Sequence, residues 1–304
     1  MAHTYDLVIL GAGPAGITAA VYASRKRLDF LLITLDIGGQ TAWSGDVENY
    51  TGYQFITGPD LVLKFQEHIK AFGIEVKMPQ EVTGIKKEER LIKIITTQSE
   101  YLSRTAIIAT GKRPRQLNVP GEKEYKNKGV TYCAICDGPV FKGKKVAVIG
   151  GGNSGLDAAL QMMKISPSVY LIDIAPELRA DPVMVEKVTN SPQVEIWNNS
   201  RVRGIYGSQF VERIDVEQEG KVYTLPVEGV LVEVGLVPNA EFAHCLAHNE
   251  KREIIVDCYN RTNVEGIFAA GDVTNVPEKQ IIIACGEGSK ACLSASKYLL
   301  THTF

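Results

Sequence analysis

The chain has 304 residues, 45% of them hydrophobic and 22% charged, with a net charge of −2. That is too long for one typical domain, ordinary for a globular protein, and too nearly neutral for the basic footprint of a nucleic-acid or anionic-membrane binder. No apolar run reaches the roughly 18 residues of a spanning helix and no secretion signal precedes the first strand, so a cytoplasmic chain is expected.

Asp6-Leu7-Val8-Ile9-Leu10 reads as a buried strand running into Gly11-Ala12-Gly13-Pro14-Ala15-Gly16, with Ile17–Arg27 as the helix that follows. Strand, glycine turn and helix in that order form a dinucleotide seat. Gly11 permits the tight turn, Gly13 lets backbone approach a pyrophosphate, Gly16 allows helix–strand packing, and the helix N-terminus takes the phosphates. Phe30–Thr34 is a second strand. Asp36, about 20 residues past the turn, is a candidate acceptor of ribose hydroxyls, the alternative being a solvated loop aspartate. Gly38-Gly39-Gln40 and Val47–Gly52 form a turn-rich stretch without periodicity. Leu61–Phe72 is an amphipathic helix, and Val76, Val82–Ile85, Leu91–Thr96 and Ala106–Ala109 are short strands. The last of these ends at Thr110-Gly111, as a strand does at a ligand crevice.

The stretch from Lys112 to Gly129, polar and punctuated by Pro114, Pro120 and Gly121, reads as a linker. Beyond it stands Tyr132-Cys133-Ala134-Ile135-Cys136-Asp137-Gly138. Two cysteines separated by two residues can close a small reversible disulfide, and the adjacent Asp137 is a candidate proton donor to the sulfur that leaves. A structural zinc site would need a second ligand pair. Cys245, Cys258, Cys285 and Cys292 are scattered, without a paired histidine motif near them, so redox chemistry is favoured and no metal is expected.

Lys145–Ile149, Gly150-Gly151-Gly152-Asn153-Ser154-Gly155 and the helix Leu156–Lys164 repeat the opening motif, which implies two nucleotides, one per domain. Strand Val169–Ile172 ends at Asp173, at the spacing of a ribose-binding acid, the alternative being a surface aspartate. Val194–Trp197, Arg201–Ile205, Val211–Val216, Val222–Leu225 and Gly229–Glu233 read together as a second small sheet, and Gly235–Asn239 as the return linker. Gly266–Val273 is a strand ending in Gly271-Asp272, an acid suited either to a ligand's hydroxyls or to a turn cap. Gln280–Leu300 is a long helix.

Together these motifs resemble the low-molecular-weight thioredoxin reductases over essentially the whole chain. They equally resemble the flavoprotein subunit of alkyl hydroperoxide reductase, to which Gly150–Gly155 and Lys279–Ala284 followed by Gly286-Glu287-Gly288 are similar. That flavoprotein carries an extra N-terminal thioredoxin-like module, whereas this chain begins at the FAD strand. The resemblance implies an α/β fold of two Rossmann-like three-layer domains, each with a small antiparallel β element. One is a discontinuous FAD domain, 1–113 and 244–304; the other, 114–243, binds the nicotinamide nucleotide and holds the C-x-x-C. A homodimer is also implied.

The resemblance further implies FAD contacts at Gly11, Gly13, Pro14, Ala15 and Gly16, at Asp36, Gly39, Gln40, Asn49 and Val82, and at Thr110, Gly111, Gly271, Asp272, Gln280 and Ile281. The nicotinamide nucleotide falls to Gly150, Gly152, Asn153, Ser154, Gly155 and Asp173. By family position Cys136 faces the flavin, Cys133 attacks the partner and Asp137 is the general acid. Electrons then pass from the nicotinamide through FAD and the Cys133–Cys136 disulfide to a thioredoxin- or glutaredoxin-like protein. The central domain rotates between two arrangements, with hinges near Lys112–Arg115 and Asn239–His244. NADPH-dependent members carry a His-Arg-Arg stretch where this chain reads Asp173-Ile174-Ala175, so NADH is the expected donor. Three other readings keep the same parts: a non-nicotinamide donor such as ferredoxin, a peroxiredoxin-reducing flavoprotein, and a flavin-bound redox sensor that does not turn over.

Overall fold

A computed structural model describes residues 3–44 and 46–302, apart from the side chains of Asp46, Ile135 and Cys136. The chain divides into two compact units, Met1–Arg113 with Val237–Phe304, and Pro114–Leu236.

In the first unit the opening strand, Thr4–Ala12, runs parallel to Phe30–Ile37 on one side and Glu100–Ile108 on the other. Leu7, Val8, Ile9 and Leu10 are all 0% exposed, because both faces of this sheet are covered. Leu7 and Ile9 pack with residues of the helices Pro14–Arg25, Gly58–Ala71 and Ile281–Thr301; Val8 and Leu10 face a second core with Ile92, Ile94, Ile254 and Ile267. The strand Glu100–Ile108 serves two partners along its far edge. Its first half takes the antiparallel hairpin of Val82–Glu88 and Leu91–Thr96, and its second half takes the parallel strand Ile267–Ala269. The small antiparallel element of this unit therefore continues the main sheet.

In the second unit the parallel sheet has the order Val130–Thr131, Gly229–Val232, Val146–Ile149, Val169–Ile172, Val194–Trp197. Ser200–Gly207, Val211–Gln218 and Lys221–Pro226 form a separate three-stranded antiparallel sheet. The grouping of five segments into one small sheet is thus corrected: Gly229–Val232 and Val194–Trp197 belong to the parallel sheet. Every residue of Gly229–Val232 is buried, as a central parallel strand requires. A helix not anticipated from the sequence spans Pro182–Thr189, with Pro182 at its first position and the Asp181 carboxylate accepting the Val183 N–H at 3.0 Å.

Two further expectations are corrected. From Pro114 onward, the polar stretch read as a linker is folded into the second unit. Glu122 is 1% exposed and accepts hydrogen bonds from the N–H groups of Leu117 and Asn118 and from the Tyr132 hydroxyl, at 2.7, 2.6 and 2.7 Å, while Tyr125 lies in the core. The return crossing comes earlier than residue 244. Ala240 and Ala243 pack in the second core of the first unit, and the Asn239 N–H donates to the Gly111 carbonyl at 3.0 Å, so residues 237–243 belong there.

Candidate functional site

The two glycine turns are built alike. Gly11 has φ +103° and Gly150 φ +126°, and a Cβ on Gly16 or on Gly155 would stand 1.8 Å from the carbonyl oxygen of Gly11 or Gly150. Each helix therefore starts hard against the end of its strand. The middle glycines differ in kind: a Cβ on Gly13 meets nothing within 4 Å, and one on Gly152 only the Arg179 carbonyl at 4.0 Å. Among the described residues no side chain caps the helices Pro14–Arg25, Asn153–Met162 and Ile281–Thr301, and none carries an acid in its first turn. Their free N–H groups and positive dipole ends suit anions, so both turns fit the pyrophosphate of a dinucleotide.

Around the first turn the sequence-predicted residues gather from four parts of the unit. The Gly38 N–H donates to Ala12 O at 2.8 Å, and the Thr34 hydroxyl accepts from the Ala12 N–H and donates to Asp36 O, which sets exposed Asp36 beside the turn. A Cβ on Gly39 would lie 3.5 Å from Gly13 Cα, and one on Gly271 3.0 Å from Ala15 Cβ. Gln40 donates to Lys112 O at 2.9 Å, and Asn49 to the Gln280 carboxamide oxygen at 3.1 Å, next to Ile281, which begins the last helix and packs against the core that includes Ala15. Thr110 donates its hydroxyl to Asn239 O at 2.7 Å, so its side chain is engaged by the chain's return path, and Gly111 adopts φ +64°. Val82 opens the strand Val82–Glu88, and the Gln80 N–H, two residues before it, donates to Thr34 O at 2.8 Å.

Sequence reasoning missed a charged cluster next to Asp272. Lys112 and Lys279 hold one oxygen of Glu253 at 2.8 and 3.3 Å, and Asn249 donates to the other at 2.7 Å; Glu253 is only 7% and Lys112 12% exposed. Burial works to raise the Glu253 carboxyl, but the hydrogen bonds from Lys112 and Asn249 and the two lysine charges hold it down at about 2. Burial pushes Asp272 up, opposed by the same lysines, and pushes Lys279 down. Glu253→Gln leaves two lysines without their counter-charge and is expected to destabilise the protein by about 3 kcal/mol. Because the folded carboxyl titrates below its ordinary 4.5, its contribution is whole above pH 4.5 and is lost as pH falls toward 2. Urea midpoints of the native and variant proteins should therefore converge across that acid window; equal midpoints at neutral pH would show that the cluster does not stabilise the fold.

In the second unit, Asp173 accepts backbone N–H groups with both carboxylate oxygens, one from Gly151 and one from Ala175 at 2.6 Å. A carboxylate has about four acceptor positions, so two remain for ribose hydroxyls. The Asn153 carboxamide oxygen accepts the Asp181 N–H at 2.8 Å, which leaves Asn153 its side-chain NH₂ and its backbone N–H as donors at the helix start. Arg179 stands beside the turn, its N–H donating to Gly151 O at 2.8 Å. Ser154 lies beside the side chain of Glu233, a residue not singled out from the sequence.

Cys133 is disulfide-bonded, whereas Cys245, Cys258, Cys285 and Cys292 are free; the side chain of Cys136 lies outside the described residues. Cys133 precedes the short helix Ala134–Asp137, and the buried Thr131 ties this turn together. Its hydroxyl donates to the Asp137 carboxylate while its oxygen accepts the Cys133 N–H at 3.1 Å. The Asp137 N–H in turn donates to Cys133 O at 3.2 Å. No sequence pattern marks Thr131, because a single hydroxyl two residues before a cysteine has no signature of its own.

Residues 5–288 match the family described as pyridine nucleotide-disulphide oxidoreductase. The chain is 41% identical over 304 residues to the NADH dehydrogenase of Ferdinandcohnia aciditolerans, covering 98% of this chain and 58% of that one. It is also 41% identical over 308 residues to the alkyl hydroperoxide reductase subunit of Escherichia coli, covering 97% of this chain and 58% of that one. The chain thus spans less than two thirds of the curated relatives it matches. Among solved structures, the thioredoxin reductase of Lactococcus lactis in its FR conformation superposes with a TM-score of 0.90 at 36% identity, over 98% of this chain and 100% of that one.

Proposed function

We propose, from the premise that the chain belongs to the pyridine nucleotide-disulphide oxidoreductase family, that it carries electrons from NADH through FAD and a Cys133–Cys136 dithiol to the disulfide of a thioredoxin- or glutaredoxin-like protein. The assembly would be a cytoplasmic homodimer. The observation that carries this reading is the disulfide-bonded Cys133 in the same unit as the second glycine turn.

When bound, FAD supplies a carrier that accepts a hydride and gives two electrons to a disulfide. Gly11–Gly16 and the N-terminus of the following helix would hold its pyrophosphate, with Asp36 and Asp272 as hydroxyl acceptors and Gln280 as a further contact. In the reduced protein the Cys133 thiolate attacks one sulfur of the partner's disulfide. That bond breaks, a mixed disulfide forms, and the displaced sulfur takes a proton from Asp137. Cys136 then attacks Cys133 Sγ, restoring their disulfide and releasing the partner as a dithiol.

The protein as isolated is expected to be yellow, with one FAD per chain, and to reduce a thioredoxin disulfide catalytically with NADH. A folded protein that takes up no FAD, or one whose flavin is reduced without any disulfide turnover, would overturn the reading; the second outcome would favour a sensor. A peroxiredoxin-type acceptor is the second reading, favoured by the identity to the alkyl hydroperoxide reductase of Escherichia coli. Rates with each acceptor separate the two.

The donor follows from Asp173. Its carboxylate, held beside the second turn by Gly151 and Ala175, can accept ribose hydroxyls and opposes a 2′-phosphate carrying about two negative charges. Arg179 supplies one guanidinium against that repulsion, without the paired cations of a phosphate clamp. NADH is expected over NADPH by at least about tenfold in kcat/KM, with Asp173→Ala narrowing the gap. Equal use of NADPH by the native protein contradicts this; failure with both nucleotides, the flavin being chemically reducible, would favour a ferredoxin-type donor.

A further inference from the structure

The strand Gly229–Val232 runs beside Val146–Ile149, and the next residue, Glu233, lands against the second glycine turn. Its N–H donates to Ile149 O at 2.8 Å, and a Cβ on Gly150 would meet its carbonyl oxygen at 2.2 Å, so its backbone is fixed relative to the turn. Its half-buried side chain reaches Ser154, in the first turn of the helix Asn153–Met162. An acidic side chain is thereby held at the helix end assigned above to the pyrophosphate of the nicotinamide nucleotide. A carboxylate and a pyrophosphate sharing one helix N-terminus repel each other; a neutral carboxylic acid removes that repulsion and can donate a hydrogen bond.

We propose that Glu233 makes nucleotide binding at the second turn proton-linked, the crevice accepting a nicotinamide dinucleotide with this side chain neutral and losing affinity once it ionises. The proposal rests on the reading of that turn as the nicotinamide site. Burial raises the Glu233 carboxyl to about 7; the Ser154 hydrogen bond pulls it down and the charge of Asp157, further along the same helix, pushes it up. At the end of the neighbouring strand Asp173 has both oxygens engaged by backbone, and Arg179 approaches from the loop beside Gly152. The change in affinity therefore falls across neutral pH.

The test uses flavin-loaded protein and NAD⁺, a probe that cannot reduce the flavin and has no group titrating near neutrality. Calorimetric titrations from about pH 6 to about pH 8.5 should show the native Kd rising by roughly tenfold or more over the upper part of that range, with a fraction of a proton taken up on binding. Glu233→Gln keeps a partner for Ser154 and cannot ionise, so its Kd should stay flat, with no proton taken up. Asp157→Asn removes a like charge and should move the native break to lower pH. A flat native profile, or a slope that persists in Glu233→Gln, overturns the proposal alone. Binding of NAD⁺ to neither protein at any pH overturns the reading of the turn, and the proposal with it.

Discussion

Cys133→Ser and Cys136→Ser are each expected to abolish turnover of a protein disulfide, a loss of at least about 10³-fold, while NADH still reduces the bound flavin at the native rate. In the proposed mechanism the two sulfurs have separate jobs in sequence, so losing either stops the cycle and losing both costs little more. Three of the four remaining cysteines are poor substitutes. Burial pushes the thiols of Cys245, Cys285 and Cys292 up, that of Cys292 to about 12, and a thiol that stays protonated is not a nucleophile. Removing a sulfur should also leave the turn standing, since Thr131 and the Asp137 N–H hold Cys133 by its backbone. Stopped-flow absorbance separates flavin reduction from disulfide turnover, and rapid multiple turnover by either variant would remove the dithiol mechanism.

Asp137→Asn is expected to slow the thiol–disulfide step by about 10²–10⁴-fold, the usual cost of losing a positioned acid, with nicotinamide-to-flavin transfer unaffected. Asparagine keeps an oxygen for the Thr131 hydroxyl, so the geometry next to Cys133 survives and the proton alone is lost. Single-turnover reoxidation of the reduced protein by a thioredoxin disulfide measures this step directly. A rate within a few-fold of native would mean that solvent, not Asp137, supplies the proton.

What could be read in the sequence was whatever local backbone geometry imposes. The Gly11–Gly16 and Gly150–Gly155 turns were legible because the clash that demands glycine lies five residues away in the same turn. The disulfide state of Cys133 was legible because a two-residue gap before another cysteine suits a small disulfide ring. The apolar run Leu7–Leu10 announced a strand covered on both faces, since without a solvated face nothing calls for alternation. These local signals, taken together, specified two nucleotide-binding domains before any strand was paired.

Strand pairing and the burial of charge were decided by tertiary structure alone. Gly229–Val232 looked like one more segment of a small sheet, and became a central parallel strand only because its edges met Val130–Thr131 and Val146–Ile149. Glu122 sits in a run of charged residues that reads as solvated linker, yet it is buried because three donors converge on it. Lys112 and Glu253, 141 residues apart, and Glu233 against Ser154 are likewise charges or acids whose environments come from distant chain. A side chain's periodicity reports which way it faces on its own element. Whether an ionisable group is stable inside depends on partners brought to it by the fold, and those partners leave no trace in the local sequence.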